Sequence, residues 1–138
     1  MAIGPPVEPI AAAARWTRVW HDAWEAQDTE AIVALYAPDV VFSTEAFRVP
    51  YQGHEGVRRY VAQAFQEERG PRVWIGAPIV AGDRGAIEWW AAVVENDIEI
   101  TLAGVSVLRF DAQGLVTEQR DSWNQAEGLH EPPAGWGR

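Results

Sequence analysis

The segment EQRDSWNQ, residues 118–125, places an arginine, an aspartate and a tryptophan next to one another near the end of the chain. In a β-strand, side chains two residues apart share a face, so Asp121 and Trp123 would point one way and Arg120 the other. A carboxyl group beside an indole in an apolar cavity loses solvation, which raises its pKa towards values useful for acid/base catalysis. Asp121 is therefore the first candidate for a general acid or base. The alternative is a structural hydrogen bond or ion pair within the sheet.

Two further residues could assist Asp121. In AIEWW, Glu88 alternates with Trp90 along the predicted strand. If their shared face lines a pocket, Glu88 and Asp121 could form a carboxyl pair with separated pKa values. If it is the outer face, Glu88 is solvated or lies at a dimer interface. His21 follows Trp20 and could turn towards a cavity as a general base.

The remaining polar candidates are weaker. Glu45 and Arg48 follow the first predicted strand and could position a water and an oxyanion, although an exposed ion pair in a loop is the favoured interpretation. The histidines at positions 21, 54 and 130 have no spacing typical of metal ligands. The chain also has no cysteine, P-loop or dinucleotide glycine motif, so we expect no metal and no cofactor.

Composition restricts the class of protein. A chain of 138 residues that is 48% hydrophobic suits one domain with a real core, here residues 1–138 with an N-terminal arm at 1–9 and a tail at 126–138. A net charge of −9 argues against nucleic acid and anionic membrane as partners. No apolar run is long enough to span a membrane and the N-terminus is unlike a signal peptide, so we expect a cytoplasmic protein. Eight tryptophans could line an apolar cavity for a hydrophobic small molecule.

Three helices are predicted in the first half of the chain. The first begins at Ile10 and carries Trp16, Trp20 and Trp24 as a stripe on one face. QDTEAIVALYAPD predicts a second helix with Asp28 as N-cap, and HEGVRRYVAQAFQEERG predicts a third that ends at its last glycine. VVFSTE, between the second and third helices, predicts a short strand.

Four β-rich runs follow: RVWIGAPIVA, GAIEWWAAVV, IEITLAGVSVLRF and GLVTEQRDSWN. Their connections, GDRG, END and DAQG, are too short for crossover helices, so the sheet should be antiparallel. Gly104 predicts a bulge that bends the sheet. Helices on one face of a curved antiparallel sheet make an α+β domain with a cone-shaped cavity, and the outer face would form a homodimer.

Four stretches carry a resemblance to a known family: DTEAIVALYAPDVVF, YQGHEGVRRYV, AIEWW and GVSVLRFDAQGLVTEQRDSWN. Over roughly residues 12–125, the chain resembles the SnoaL-like branch of the nuclear-transport-factor-2-like superfamily. The resemblance implies an α+β cone, with three helices on the concave face of a curved antiparallel sheet. Relatives include ketosteroid isomerases, polyketide cyclases, limonene-epoxide hydrolases, dehydratases and ligand-binding proteins, so it implies no single reaction.

The resemblance can be followed residue by residue. It maps the catalytic positions of the ketosteroid isomerases onto Trp20, Thr44 and Ala103, none of which has the isomerase side chain, so that mechanism is not expected. RDSW is similar to the RDYF-type motif of the limonene-epoxide hydrolases, in which the aspartate, here Asp121, helps to activate a water. The partners of that aspartate after the first strand are not matched, since Glu45 stands near one of their positions.

We therefore expect a cofactor-independent acid/base enzyme of the SnoaL-like type, acting on a small hydrophobic oxygenated molecule as a cyclase, isomerase, dehydratase or epoxide hydrolase. Asp121 would be the general base or acid, with Glu88 or His21 as its assistant. The expected substrate-binding residues are Trp20, Thr44, Glu45, Trp90, Ala103 and Trp123. Whether the protein catalyses a reaction stays open: a non-catalytic binding protein would have the same pocket, and an assembly module would have a filled core.

Overall fold

The computed structural model describes residues 5–138. Within them lie three helices and seven strands: α1 Pro9–Ala26, α2 Thr29–Val33, β1 Tyr36–Ser43, β2 Tyr51–Gln52, α3 Gly53–Glu67, β3 Glu68–Ile75, β4 Ile79–Ala81, β5 Arg84–Glu95, β6 Ile98–Phe110 and β7 Val116–Glu127. Residues 5–8 of the predicted arm precede α1 without regular structure, and residues 1–4 lie outside the described part. No helix of residues 5–138 combines the length and apolar character needed to cross a membrane. The cytoplasmic location stays a prediction.

The first two helices begin as their sequences indicate. Pro9 occupies the start of α1, where a missing backbone N–H costs nothing. Gln27 then ends α1 in the left-handed conformation, with φ of 56°. The carboxylate of Asp28 accepts a hydrogen bond from the backbone N–H of Ala31 at 3.2 Å, so the predicted N-cap of α2 is present. Helix α2 is short because the chain enters β1 at Tyr36.

Helix α3 ends earlier than predicted. Its last residue is Glu67, and Glu68 already begins β3 by pairing with Glu95 of β5. The expected stop at Gly70 is therefore wrong. That glycine instead lies at a register shift between Arg69 and Arg72, where the strand bulges. Sheet pairing, rather than a glycine cap, ends the helix.

The strands form one sheet in the order β2-β1-β7-β6-β5-β3, and β4 extends β5 at the edge. The predicted α+β architecture, with three helices on a curved, unclosed sheet, is confirmed. The expectation of a wholly antiparallel sheet needs one correction, because β1 pairs with β7 in parallel. These two strands are separated by most of the chain, so no short turn dictates their direction.

Strand alternation gives the sheet two different faces. Ile87 of β5, Ser106 of β6 and Asp121 of β7 are successive cross-strand partners, so they share the face that the helices cover. Gly104 makes no bulge, because the register of β6 runs unbroken through it on both sides. A Cβ at this position would lie 2.4 Å from the carbonyl oxygen of Ser122, so the glycine permits close approach of β7.

Candidate active site

A pocket of about 80 Å³ opens between the helices and the covered face of the sheet. Its walls are mainly aromatic and aliphatic, with α1 on one side and strands β3, β5, β6 and β7 on the other. The aromatic residues that line it are Trp16, Trp20, Trp24, Tyr60 and Trp89. The sequence-predicted tryptophan stripe therefore contributes one wall. A cavity at this position argues against a completely filled core.

Asp121 is the carboxyl group at the β7 side of this pocket. Its Oδ1 accepts hydrogen bonds from Ser106 Oγ at 2.6 Å and from Gln119 Nε2 at 3.0 Å. The indole N–H of Trp89 donates to Ser106 Oγ at 3.0 Å and so holds that hydroxyl in place. Among the described residues, none donates a hydrogen bond to Oδ2, and this oxygen is not fully enclosed. One oxygen of the carboxyl group is therefore anchored while the other is available to a ligand.

The surroundings of Asp121 favour proton exchange near neutral pH. Burial raises the pKa of its carboxyl group from 3.8 to about 6, because the carboxylate is poorly solvated there. The hydrogen bonds from Ser106 and Gln119 act in the opposite direction by stabilising the ionised form, but they do not outweigh burial. At pH 7 most of the population is ionised, and the protonated form is energetically close.

A buried chain of hydrogen bonds supports Asp121 from behind. The hydroxyl of Tyr36 accepts the indole N–H groups of Trp16 at 3.2 Å and Trp20 at 3.0 Å. It donates in turn to Gln119 Oε1 at 2.5 Å, and Gln119 donates to Asp121. Burial raises the pKa of Tyr36 far above its ordinary value, so the phenol stays protonated and acts as a donor. This chain fixes the amide of Gln119 with its N–H towards the carboxylate.

Glu68 is a second carboxyl group in the same pocket. Its pKa is raised from 4.5 to about 7, first by burial and then by the negative charges of Glu95 and Glu67. The indole of Trp24 lies close enough to lower this pKa in part, but the contact falls short of hydrogen-bond geometry. Trp24 Nε1 and Glu68 Oε2 are consequently both buried without a hydrogen-bond partner in the described part of the chain.

The structure brings only two of the sequence-predicted site residues, Asp121 and Trp20, into the pocket. Glu88 is exposed and shares a shallow groove on the opposite face of the sheet with Trp90 and Ala103. The expected Glu88–Asp121 pair therefore does not form, nor do Trp90 and Ala103 line the pocket. The cause is strand alternation: Trp89 takes the pocket face of β5, which sends its neighbours to the other side.

Two charged candidates also lie outside the pocket. His21 is exposed on α1, where its Nδ1 lies 2.9 Å from the carboxylate of Asp22, so it does not assist Asp121. Glu45 lies after β1 and forms an ion pair with Arg48 at 3.7 Å. Both partners of this pair are solvent-accessible, in agreement with the interpretation as a loop ion pair.

Thr44 and Trp123 contact each other away from the pocket. Thr44 is buried, and its carbonyl oxygen accepts a hydrogen bond from the indole N–H of Trp123 at 2.9 Å. Trp123 is the cross-strand partner of Gly104, and it remains 37% exposed. This pair joins the end of β1 to β7, so its place in the fold is structural rather than ligand-lining.

Sequence analysis missed four residues of the site. Tyr36, Ser106 and Gln119 belong to the hydrogen bonds that support Asp121, and Glu68 is the second carboxyl group. The sequence does contain a signal for Gln119, because this residue stands two positions before Asp121 on one strand and must share its face. Ser106 required the register between β6 and β7, which a single sequence does not contain. Tyr36 and Glu68 were assigned to the ends of helices, and both belong to strands.

Comparison with known proteins agrees with this architecture. A family model described as the SnoaL-like domain matches residues 17–119. No curated protein matches the chain. Among solved structures, a hypothetical protein from Catenulispora acidiphila with a ketosteroid isomerase-like fold, in complex with trimethylamine, has a TM-score of 0.68 at 20% identity and covers 76% of this chain and 82% of its own.

Two further solved structures are similar. SalBIII, an epoxide hydrolase/cyclase-like enzyme in pyran ring formation in the polyether salinomycin, has a TM-score of 0.71 at 16% identity, covering 84% of this chain and 90% of its own. An LEH-like epoxide hydrolase of Mycobacterium tuberculosis has a TM-score of 0.68 at 18% identity, covering 82% and 83%. At identities this low, the structural similarity shows a common fold. The family model matches residues 17–119, which is most of the chain, and so shows that this chain belongs to the SnoaL-like domain family.

Proposed function

We propose that the protein is a cofactor-independent acid/base enzyme that acts on a small hydrophobic oxygenated molecule, with Asp121 as the proton-transferring group. The observation that carries this proposal is the carboxyl group itself: Asp121 lines an aromatic pocket, and its Oδ1 is held by two donors while no described residue donates to Oδ2. A cyclase, isomerase, dehydratase and epoxide hydrolase all need such a group, because each moves a proton to or from carbon, oxygen or water.

The mechanism follows from this arrangement. The ionised carboxylate of Asp121 takes a proton through Oδ2 from the substrate or from a water beside it. Ser106 and Gln119 hold the other oxygen, so the geometry is preserved while the charge changes. Burial stabilises the protonated form of Asp121, so the carboxylate can accept the proton. With a pKa of about 6, the acid can also return the proton in the next step. The indole walls give the carboxyl group largely apolar surroundings.

The relatives support a reaction of this class without naming it. One is described as an epoxide hydrolase/cyclase-like enzyme and another as an LEH-like epoxide hydrolase. The pocket of about 80 Å³ is smaller than the cavity of roughly 150 Å³ that accommodates benzene in an engineered protein. We therefore propose a compact substrate, or one that inserts only its reacting end.

The test is turnover by an Asp121→Asn variant. Compounds from oxygenated terpenoid, polyketide-like and steroid panels would be incubated with the protein, and products would be detected by mass spectrometry. For a confirmed substrate, we expect kcat to fall by about 100-fold or more in Asp121→Asn. The matched control is Asp39→Asn, an exposed strand aspartate that should stay within about twofold of wild type. Unchanged turnover by Asp121→Asn would refute the assignment.

A non-catalytic binding protein is the second candidate. The absence of Glu88 and His21 from the pocket favours it, because Asp121 then lacks the assistants that were expected from the sequence. This candidate predicts compounds that bind measurably by calorimetry and are recovered unchanged. Product formation that depends on Asp121 would exclude it.

We propose that the protein forms a homodimer through the open face of the sheet. No helix covers this face among the described residues, and Val105 and Trp90 are only partly buried there. We expect sedimentation to show a dimer and a Val105→Glu variant to be monomeric, because a carboxylate would be desolvated at the interface. A wild-type monomer at micromolar concentration would overturn this proposal.

A further inference from the structure

The charge of the pocket is unbalanced. It is lined by two carboxyl groups, Asp121 and Glu68, and by no lysine, arginine or histidine of the described chain. The donors that reach Asp121 are a hydroxyl and an amide, which are neutral. A buried carboxylate without a counter-ion is costly, so the ionised pocket would gain free energy from a positive charge.

Strand β3, which carries Glu68, supplies no such positive charge to the pocket. Arg69 of β3 forms an ion pair with Asp97 at 2.5 Å. Arg72 lies 3.6 Å from the carboxylate of Glu131 and over the ring of Trp74, at 4.8 Å from its centroid. Both guanidinium groups are therefore engaged elsewhere. When these carboxyl groups are ionised, a positive charge at the pocket would therefore come from a bound molecule.

The wall beside Glu68 has the composition that binds organic cations. Trp20 and Trp24 stack with their centroids 5.1 Å apart, and Tyr60 also lines the pocket. The faces of indole and phenol rings attract ammonium groups through their quadrupoles, and tryptophan does so most strongly. Glu68 Oε2, buried and without a hydrogen-bond partner, is the oxygen that such a group would pair with.

We propose that the Glu68 end of the pocket is a subsite for a substituted ammonium group, paired with the Glu68 carboxylate and enclosed by the indoles of α1. The ligand would be a small aliphatic amine or quaternary ammonium compound whose oxygenated end extends towards Asp121. This inference rests on the proposed function only in assigning both ends of the pocket to one ligand. Choline is the compact probe of this class, because it carries a trimethylammonium head and a hydroxyl end.

The test compares choline with 3,3-dimethylbutan-1-ol, which has the same shape but carries carbon in place of the charged nitrogen. Calorimetric titration at pH 8 and low salt gives both affinities. We expect the wild-type protein to prefer choline by about tenfold or more. In Glu68→Gln this preference should fall to within about threefold, because the counter-charge is gone while the shape of the pocket is kept. The matched control, Glu127→Gln at the exposed end of β7, should keep the wild-type ratio.

Three outcomes would overturn the inference: equal affinity for the two compounds, an undiminished preference in Glu68→Gln, or no binding of choline at about 10 mM. The ratio of the two affinities separates recognition of charge from a structural effect of the substitution, which would weaken both compounds equally. The proposed function is tested separately from this inference. Unchanged turnover in Asp121→Asn would remove the acid/base role and leave the choline preference intact, whereas loss of the choline preference would leave that role in place.

Discussion

Removing the hydroxyl of Tyr36 tests the buried hydrogen-bond chain behind the pocket. Tyr36 is 1% exposed, and its hydroxyl contacts three polar groups: the indole N–H of Trp16, the indole N–H of Trp20 and Oε1 of Gln119. A Tyr36→Phe variant keeps the ring and its packing. It leaves two donors and one acceptor without their partner.

The expected loss follows from these three groups. A buried polar group without its hydrogen bond costs about 1–3 kcal/mol. Trp16, Trp20 and Gln119 all line the pocket, where a water could partner the freed polar groups, so the lower figure is appropriate for each group. Three groups at about 1 kcal/mol each give a loss of about 3 kcal/mol in the free energy of unfolding. For a chain of this length, that corresponds to a fall in Tm of roughly 10 °C.

The assay is urea unfolding followed by circular dichroism, with Tyr60→Phe as the matched control. Tyr60 also lines the pocket, but its hydroxyl makes no hydrogen bond within the described chain. Tyr60→Phe should therefore change the free energy of unfolding by less than about 0.5 kcal/mol. Equal losses in the two variants, or a loss below about 0.5 kcal/mol in Tyr36→Phe, would refute the reasoning.

Two further predictions concern stability. Folding raises the pKa values of Asp121 to about 6 and of Glu68 to about 7, so their contribution to stability is complete below the unfolded pKa values and is lost as pH rises through 6 and 7. The Asp121→Asn/Glu68→Gln double variant should consequently show a smaller fall in Tm than wild type between pH 5 and pH 8 in a thermal scan, and parallel profiles would contradict this. A Gly104→Val variant should lose more than about 2 kcal/mol in urea unfolding, because its side chain would collide with Ser122 and Trp123; a wild-type midpoint would contradict the close approach of β7.

The parts of the site that could be predicted are those fixed by local periodicity. The stripe of Trp16, Trp20 and Trp24 follows from helix geometry alone. The direction of Asp121 relative to its strand neighbours follows from alternation along β7. Which face of Glu88–Trp89–Trp90 looks inwards could not be predicted, because both sets of alternating residues contain tryptophan and periodicity distinguishes faces only when one of them is polar.

The other errors arise from long-range pairing. Tyr36 and Glu68 stand at the junctions between helices and strands, where local propensity is weakest and pairing with a distant strand decides. Glu68 belongs to β3 because Glu95 of β5 pairs with it. The parallel pairing of β1 with β7 connects residues that are about 80 positions apart in the chain, so no local pattern reports it.

The distribution of the indoles gives the protein an internal optical probe. Four of its eight tryptophans line the pocket, and the other four, Trp74, Trp90, Trp123 and Trp136, lie elsewhere. Light absorbed by the protein is thus divided between two populations, only one of which would touch a molecule placed in the pocket. Filling the pocket should change the emission of the first population and leave that of the second as a built-in reference, so occupancy can be read from intensity without any attached dye.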